Sequence, residues 1–162
     1  MYASLPIHRK IRRLILLYKV IDMAEKKLEI FIITPDATES DKYKFHGNAD
    51  MVILRCLTGD MGILPGREAC SAILDEGAVR IISEESERMI AVLGGVFHFE
   101  NDVLKLISQK ALYPGEVDTA TTETHVHELE ARIAAADTNV AEREKFRKEL
   151  HRARVLLSVA SR

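Results

Sequence analysis

At 162 residues, 47% hydrophobic and 30% charged, the chain is long enough for one domain with a core plus an appendage, and too apolar for disorder. A formal charge of −2 excludes the overall electrostatic signature of a nucleic-acid binder, so no nucleic-acid partner is expected. The two cysteines, Cys56 and Cys70, match no zinc or redox spacing. They read as buried free thiols in a reducing cytoplasm, a disulfide being the other possibility.

Charge is not evenly spread. Residues 1–22 hold five basic side chains (Arg9, Lys10, Arg12, Arg13, Lys19) against Asp22 alone, which leaves the remainder acidic. Met23-Ala24-Glu25-Lys26-Lys27 then looks like a second beginning. Residues 1–22 are therefore read as an N-terminal extension, not native or from an upstream start. Alternatively, Ile7, Ile11, Leu14, Ile15 and Tyr18 share one helical face, as in a basic helix lying on a membrane. The longest apolar run, 14–18, is far short of the ~20 residues that span a bilayer, and a soluble protein is expected.

From residue 28 to about 108 the pattern is β. Apolar, branched runs at 28–34, 41–46, 50–56, 61–64, 69–74, 78–82, 88–93, 96–100 and 103–108 are separated by turn residues. The separators include Pro35-Asp36, Thr58-Gly59-Asp60, Pro65-Gly66, Asp75-Glu76-Gly77 and Gly94-Gly95. Asn101-Asp102 reads as a tight hairpin. Such close spacing without helices predicts an antiparallel sandwich or barrel over 23–112.

The period then changes. Tyr113-Pro114-Gly115-Glu116 opens a linker over 113–121. Val126, Leu129, Ile133 and Ala136 recur at helical spacing, as do Phe146, Leu150, Ala153, Leu157 and Ala160. Asp137-Thr138-Asn139 separates them, with Asn139 and Glu142 fitting a capping box. The expectation is a two-helix antiparallel hairpin over 122–162, with a seam too narrow to stand alone.

Chemistry is hard to find. Gly59-Asp60-Met61-Gly62 is not a phosphate loop, no nucleophile elbow occurs, and no serine or cysteine has a histidine partner nearby in sequence. His125 and His127 stand two apart on a helix and cannot share a metal. The acidic run Glu84-Glu85-Ser86-Glu87 reads as a solvated turn. No catalytic residue, metal or cofactor is expected.

The segment Gly59-Asp60-Met61-Gly62-Ile63-Leu64-Pro65-Gly66-Arg67, followed by Gly77-Ala78-Val79-Arg80-Ile81 and Gly94-Gly95-Val96-Phe97, resembles the epsilon subunit of F-type rotary ATP synthases. Arg67 stands where that family usually has His, and Asp75-Glu76-Gly77 replaces its Pro-Gly. The resemblance implies a ten-stranded antiparallel β-sandwich with a C-terminal two-helix hairpin. It also implies a non-catalytic rotor subunit on the cytoplasmic face of the cell membrane, coupling the gamma subunit to the c-ring.

Asp60, Met61, Gly62, Pro65, Gly66 and Arg67 match the family's gamma and c-ring contact segment. Asp60 corresponds to the acid facing the polar loops of the ring, and Arg67 to the position near gamma. Gly62, Pro65 and Gly66 are expected to set shape. The hairpin implies inhibition of ATP hydrolysis at the alpha/beta hexamer, through the basic residues Arg143, Arg147, Lys148, Arg152 and Arg154. The family's ATP-binding motif would fall on Val126-His127-Glu128-Leu129-Glu130-Ala131, where Glu130 replaces the phosphate-binding arginine, so no ATP sensing is expected. The competing readings are a stand-alone sandwich adaptor with an oligomerising hairpin and, behind it, a small hydrolase.

Overall fold

The computed structural model describes residues 26–35, 43–135 and 140–161. The expected extension over 1–22, the second start at Met23 and the Asp137-Thr138-Asn139 turn with its capping box lie outside the described residues.

The strands are β1 (Leu28–Ile33), β2 (Phe45–Ala49), β3 (Met51–Cys56), β4 (Gly59–Ile63), β5 (Cys70–Ser83), β6 (Ser86–Glu100), β7 (Val103–Ile107) and β8 (Ala111–Leu112). They form one hydrogen-bonded sheet in the order β2-β1-β7-β6-β5-β3-β4, with β8 on β6. The sheet folds over on itself, because residues from all eight strands meet in a single core that includes Ile30, Phe45, Leu54, Ile63, Val79, Ile90, Phe97, Leu106 and Ala111.

Two expectations are corrected here. Among the described residues there are eight strands, not ten. The runs 69–74 and 78–82 are one strand, β5, and 88–93 and 96–100 are one strand, β6. Their pairing passes straight through the supposed breaks, from Leu74↔Gly95 to Glu76↔Leu93. Nor is the sheet wholly antiparallel: β1 runs parallel to β7, from Glu29↔Val103 to Ile33↔Ile107.

The turn residues that looked like breaks bend the sheet instead. In β5 the inward side chains are Cys70, Ala72 and Leu74, then Val79 and Ile81; in β6 they are Ile90 and Val92, then Phe97 and Phe99. Parity switches in both strands at the same paired level, Asp75-Glu76 against Gly94-Gly95. A period-2 strand can change its buried face only through such an irregularity. Gly94 and Gly95 sit at φ +71° and +132°, and a Cβ on Gly95 would lie 2.2 Å from the Ile107 carbonyl oxygen. Only glycine permits both the bend and the close approach of β7. The β6–β7 turn is tight as expected, with Asn101 and Asp102 both at positive φ.

After β8 the chain stays anchored. Tyr113 N–H donates to Glu116 Oε2 at 2.8 Å, and Tyr113 Oη donates to the Lys44 carbonyl at 2.8 Å. Lys44 Nζ completes the clasp on Glu116 Oε1 at 2.7 Å. Helix α1 (Thr119–Ala135) begins three residues before the expected 122, because Asp118 caps it. The Asp118 carboxylate accepts from Thr121 N–H at 3.1 Å and from Thr121 Oγ1 at 2.6 Å. These bonds, the hydroxyl first, hold the Asp118 carboxyl below its ordinary value.

Helix α2 (Val140–Ala160) packs on α1 and lies against β5 and β6. Leu129 and Ala153 are buried as the seam predicted, and Arg132 lies over the Phe146 ring at 6.0 Å. Val159, which the seam did not include, is also buried. It belongs to a second stripe on α2, in which Val155 and Ser158 face Ala78, Gly77 and Met89 across a groove of about 420 Å³. The paired alanines Ala78 and Ala91 keep this side of the sheet low enough for a helix, and Ala91 is fully buried outside the sandwich core.

The polar tie across this contact is Arg152 Nε to Glu76 Oε1, with the Glu76 side chain largely enclosed at 15% exposure. No helix among the described residues is long and apolar enough to cross a membrane.

Two measurements check this arrangement. The folded-state carboxyl of Asp118 is depressed, so its contribution is present above about pH 4 and is lost as pH falls through its folded value. Asp118→Ala should therefore lower the melting temperature at pH 7 and converge on the parent in acid. A parallel gap at all pH values would reject the cap. For the Arg152–Glu76 tie, Glu76→Gln or Arg152→Gln should speed amide exchange in α2, with a net loss of about 1 kcal/mol. The charge-swapped pair should recover most of it, and unchanged exchange in the single variants would remove that tie from the account.

Candidate docking interface

The bend divides the outer surface in two. Beyond it, β5 and β6 turn Glu76, Ala78, Arg80 and Met89 toward the helical hairpin. Before it, they turn Ile73 and Val96 outward, with no helix of the described residues above them. Register aligns these with their neighbours: Ile73↔Val96, Val96↔Ile107 and Ile107↔Ile33 form one row across four strands. Leu57 N–H donates to the Ile73 carbonyl and extends the row.

Leu57 is 65% exposed, Ile73 58%, Ile107 53% and Val96 48%. Single exposed apolar residues are ordinary, but an aligned row of branched ones makes a candidate contact surface. At its end, Ile33, Thr34, Pro35, Val96, Ile107 and Ser108 line a shallow apolar hollow, beside which Thr34 Oγ1 is buried without a partner among the described residues.

The next row on the same face is polar. His46 stacks on Phe31 at 4.4 Å and meets Glu29 Oε1 at 3.0 Å. Lys105, His98 and Ser71 continue it by register. Ser71 Oγ lies 2.8 Å from His98 Nδ1, and His98 Nε2 lies 3.6 Å from Glu100 Oε2. The sheet thus brings together a serine and a histidine 27 positions apart, which sequence proximity did not reveal. The chain of groups sits open on a flat strand face, with His98 57% exposed, and lacks the enclosed pocket that acyl transfer requires. It works as a cross-strand polar pair.

The motif of residues 59–67 forms β4, an edge strand, and the loop after it. Met61 packs against the core and Pro65 is buried. Asp60 is exposed, and its Oδ1 accepts from Arg55 Nη1 at 2.8 Å. That bond and the carboxylate charge raise the already high Arg55 value. The Arg55 stem lies against Gly77, where a Cβ would come within 2.6 Å of Arg55 Cβ.

Arg67 is exposed and braces its own loop. Its Nη1 donates to the Gly62 carbonyl at 2.9 Å. Gly66, at φ +77°, donates its N–H to Asp102 Oδ1 at 2.6 Å. The structure brings Gly62, Gly66 and Arg67 together at one edge, while Asp60, on the same strand, lines the groove that α2 closes with His151, Val155 and Ser158, beside the Glu76 that Arg152 binds. Of the other hairpin arginines, Arg147 pairs with Glu144 at 3.0 Å, and Arg154 pairs with Glu130 at 2.9 Å. Arg143 Nε is buried without a partner among the described residues, and Lys148 is exposed. Glu130, where an ATP-binding relative would carry arginine, is committed to Arg154. Among the described residues no cluster of His, Cys, Asp or Glu could hold a metal.

Sequence reasoning missed Leu57, Ile73, Val96, Ile107 and Leu64 as site residues. A signal was available: the runs 28–34 and 103–108 are apolar at consecutive positions, so both strand faces carry branched residues.

The chain is similar in sequence to ATP synthase epsilon chains. It is 32% identical over 135 residues to that of Trichodesmium erythraeum, covering 82% of this chain and 95% of the relative. It is 32% identical to the chloroplastic epsilon chain of Guillardia theta, covering 83% and 98%. In structure it is similar to a chain of the Euglena gracilis mitochondrial ATP synthase OSCP/F1/c-ring assembly, with TM-score 0.63, 17% identity and coverage of 83% and 78%. A chain of the Tetrahymena thermophila mitochondrial ATP synthase central stalk and c-ring shares the fold at TM-score 0.55 and 12% identity, covering 83% and 97%. The family described as the ATP synthase Delta/Epsilon chain beta-sandwich domain matches residues 27–114. Folded sheet, C-terminal hairpin and near full-length relatives agree, and the chain belongs to the ATP synthase delta/epsilon chain family.

Proposed function

We propose that this chain is the non-catalytic epsilon subunit of an F-type ATP synthase. It couples the gamma subunit to the c-ring during ion-driven ATP synthesis, as a peripheral component of the complex on the cytoplasmic face of the membrane. The observation that carries the reading is the aligned apolar row of Leu57, Ile73, Val96 and Ile107, a ready-made contact surface on a chain of this family. A rotor subunit must transmit torque through packed faces rather than bonds made and broken, and an apolar row on a rigid sheet suits that task. Gamma is the partner of this face, and Asp60, on the β4 edge, points the reading toward the ring.

The hairpin is read as a brake on ATP hydrolysis. Its contact with the sheet rests on small side chains, an open groove and one enclosed ion pair, Glu76–Arg152. Such a contact is weak enough to release α2. Once released, Arg143, Arg147, Lys148, Arg152 and Arg154 would face an acidic surface on the alpha/beta hexamer.

Titration of the protein into an alpha–beta–gamma core that lacks it tests both parts. Saturable binding with falling ATP hydrolysis is expected, and deletion of everything after Asp118 should keep the binding and relieve the inhibition. Binding without inhibition would cancel the brake, and absence of binding would cancel the rotor assignment.

A further inference from the structure

One thioether stands in the seat of α2. Met89 lies in β6 opposite Arg80 of β5, one position before the core residue Ile90, so its side chain points away from the core. It is half-buried and lines two hollows at once. The first is the groove of about 420 Å³ where Val155 and Ser158 of α2 face it. The second, of about 460 Å³, it shares with Glu87, Arg88, Tyr113 and Pro114. The other described methionines are placed differently. Met61 packs against the sandwich core, and Met51 opens β3 opposite Ile82.

The contact that Met89 makes is short of apolar area. Gly77 and Ala78 offer little, so Ile53 and Met89 supply the long apolar side chains of the floor under Val155. Most polar groups around them are already paired: Arg55 with Asp60, Arg80 with Glu87, and Glu76 with Arg152. The Ser158 hydroxyl donates to the Val155 carbonyl at 2.7 Å. An oxygen added to the sulfur would enter this contact as a strong acceptor and draw water beneath α2.

We propose that Met89 is a site of reversible oxidation by peroxides, and that its sulfoxide loosens the hairpin from the sheet. One oxygen of hydrogen peroxide passes to Met89 Sδ. The S–O bond forms as the O–O bond breaks, the sulfur gives up two electrons, and the other oxygen leaves as water with both protons. The hollow beside Tyr113 gives peroxide an approach that does not require α2 to lift first. Methionine sulfoxide reductases return the thioether at the expense of a thiol reductant. Both sides of the contact belong to this chain, so the switch stands apart from the rotor reading.

The test treats the full-length protein with hydrogen peroxide and follows it by peptide mass spectrometry and amide exchange. Met89 should gain one oxygen ahead of Met61, and the amides of α2 should then exchange about fivefold faster or more, with β1 and β7 unchanged. Treatment with the two stereospecific methionine sulfoxide reductases and dithiothreitol should restore the parental rates. Met89→Leu keeps the apolar bulk and should exchange like the parent both before and after peroxide. Met89→Gln should exchange fast with no peroxide at all.

Oxidation of Met61 ahead of Met89 would overturn the choice of site. Oxidised Met89 with α2 exchange unchanged would overturn the switch. Slower exchange would overturn it too, by showing that the sulfoxide finds a donor in the groove such as His151. A peroxide response that survives in Met89→Leu would assign the effect to another side chain and reject the proposal.

Discussion

The structure depends on the paired bend of β5 and β6. Asp75-Glu76 and Gly94-Gly95 face each other across the longest strand pair, and both strands exchange their buried parity there. One continuous sheet can then close over a single core. The same exchange decides what each half shows to the outside. Ahead of the bend in β5, Ile73 and its partner Val96 face out; past it, Glu76, Ala78 and Met89 face the groove under α2. Contact face and helix seat are thus two consequences of one backbone irregularity.

This explains how a small domain serves two surfaces at once. The hairpin seat is built from alanines and glycine with one enclosed ion pair, so it holds α2 without much apolar burial. The opposite row exposes branched side chains that no other described residue covers. A sheet with one face on its core and the other patterned in rows offers both at little cost to its own stability.

Much of this was legible in the sequence. The β-to-α change of period, the hairpin seam at Leu129 and Ala153, the Asn101-Asp102 turn and the family resemblance all came from local signals. Strand number did not. Gly94-Gly95 and Asp75-Glu76-Gly77 look like chain breaks, because glycine and acids usually end strands, whereas here the glycines permit a bend within one strand. The helix starts ahead of the expected boundary because Asp118, four residues before it, caps a Thr-rich stretch that reads as linker or as the N-terminal region of the helix.

The functional surface was half legible. The motif at residues 59–67 stood out, but what each residue does depends on partners distant in sequence. Arg67 stands out in the motif as a cation, but only the structure shows its guanidinium donating to the Gly62 carbonyl. The apolar row across β5, β6, β7 and β1 exists only through register, which no single run reveals. Ser71 and His98 likewise meet only across a strand pair.

The most direct test of the central claim is a cryo-EM structure of this protein bound to its alpha–beta–gamma core and c-ring. The account expects Ile73, Val96 and Ile107 to be buried against the gamma shaft, on the face that the hairpin leaves open. A complex in which that row remains in solvent while another face of the sandwich meets gamma would contradict it.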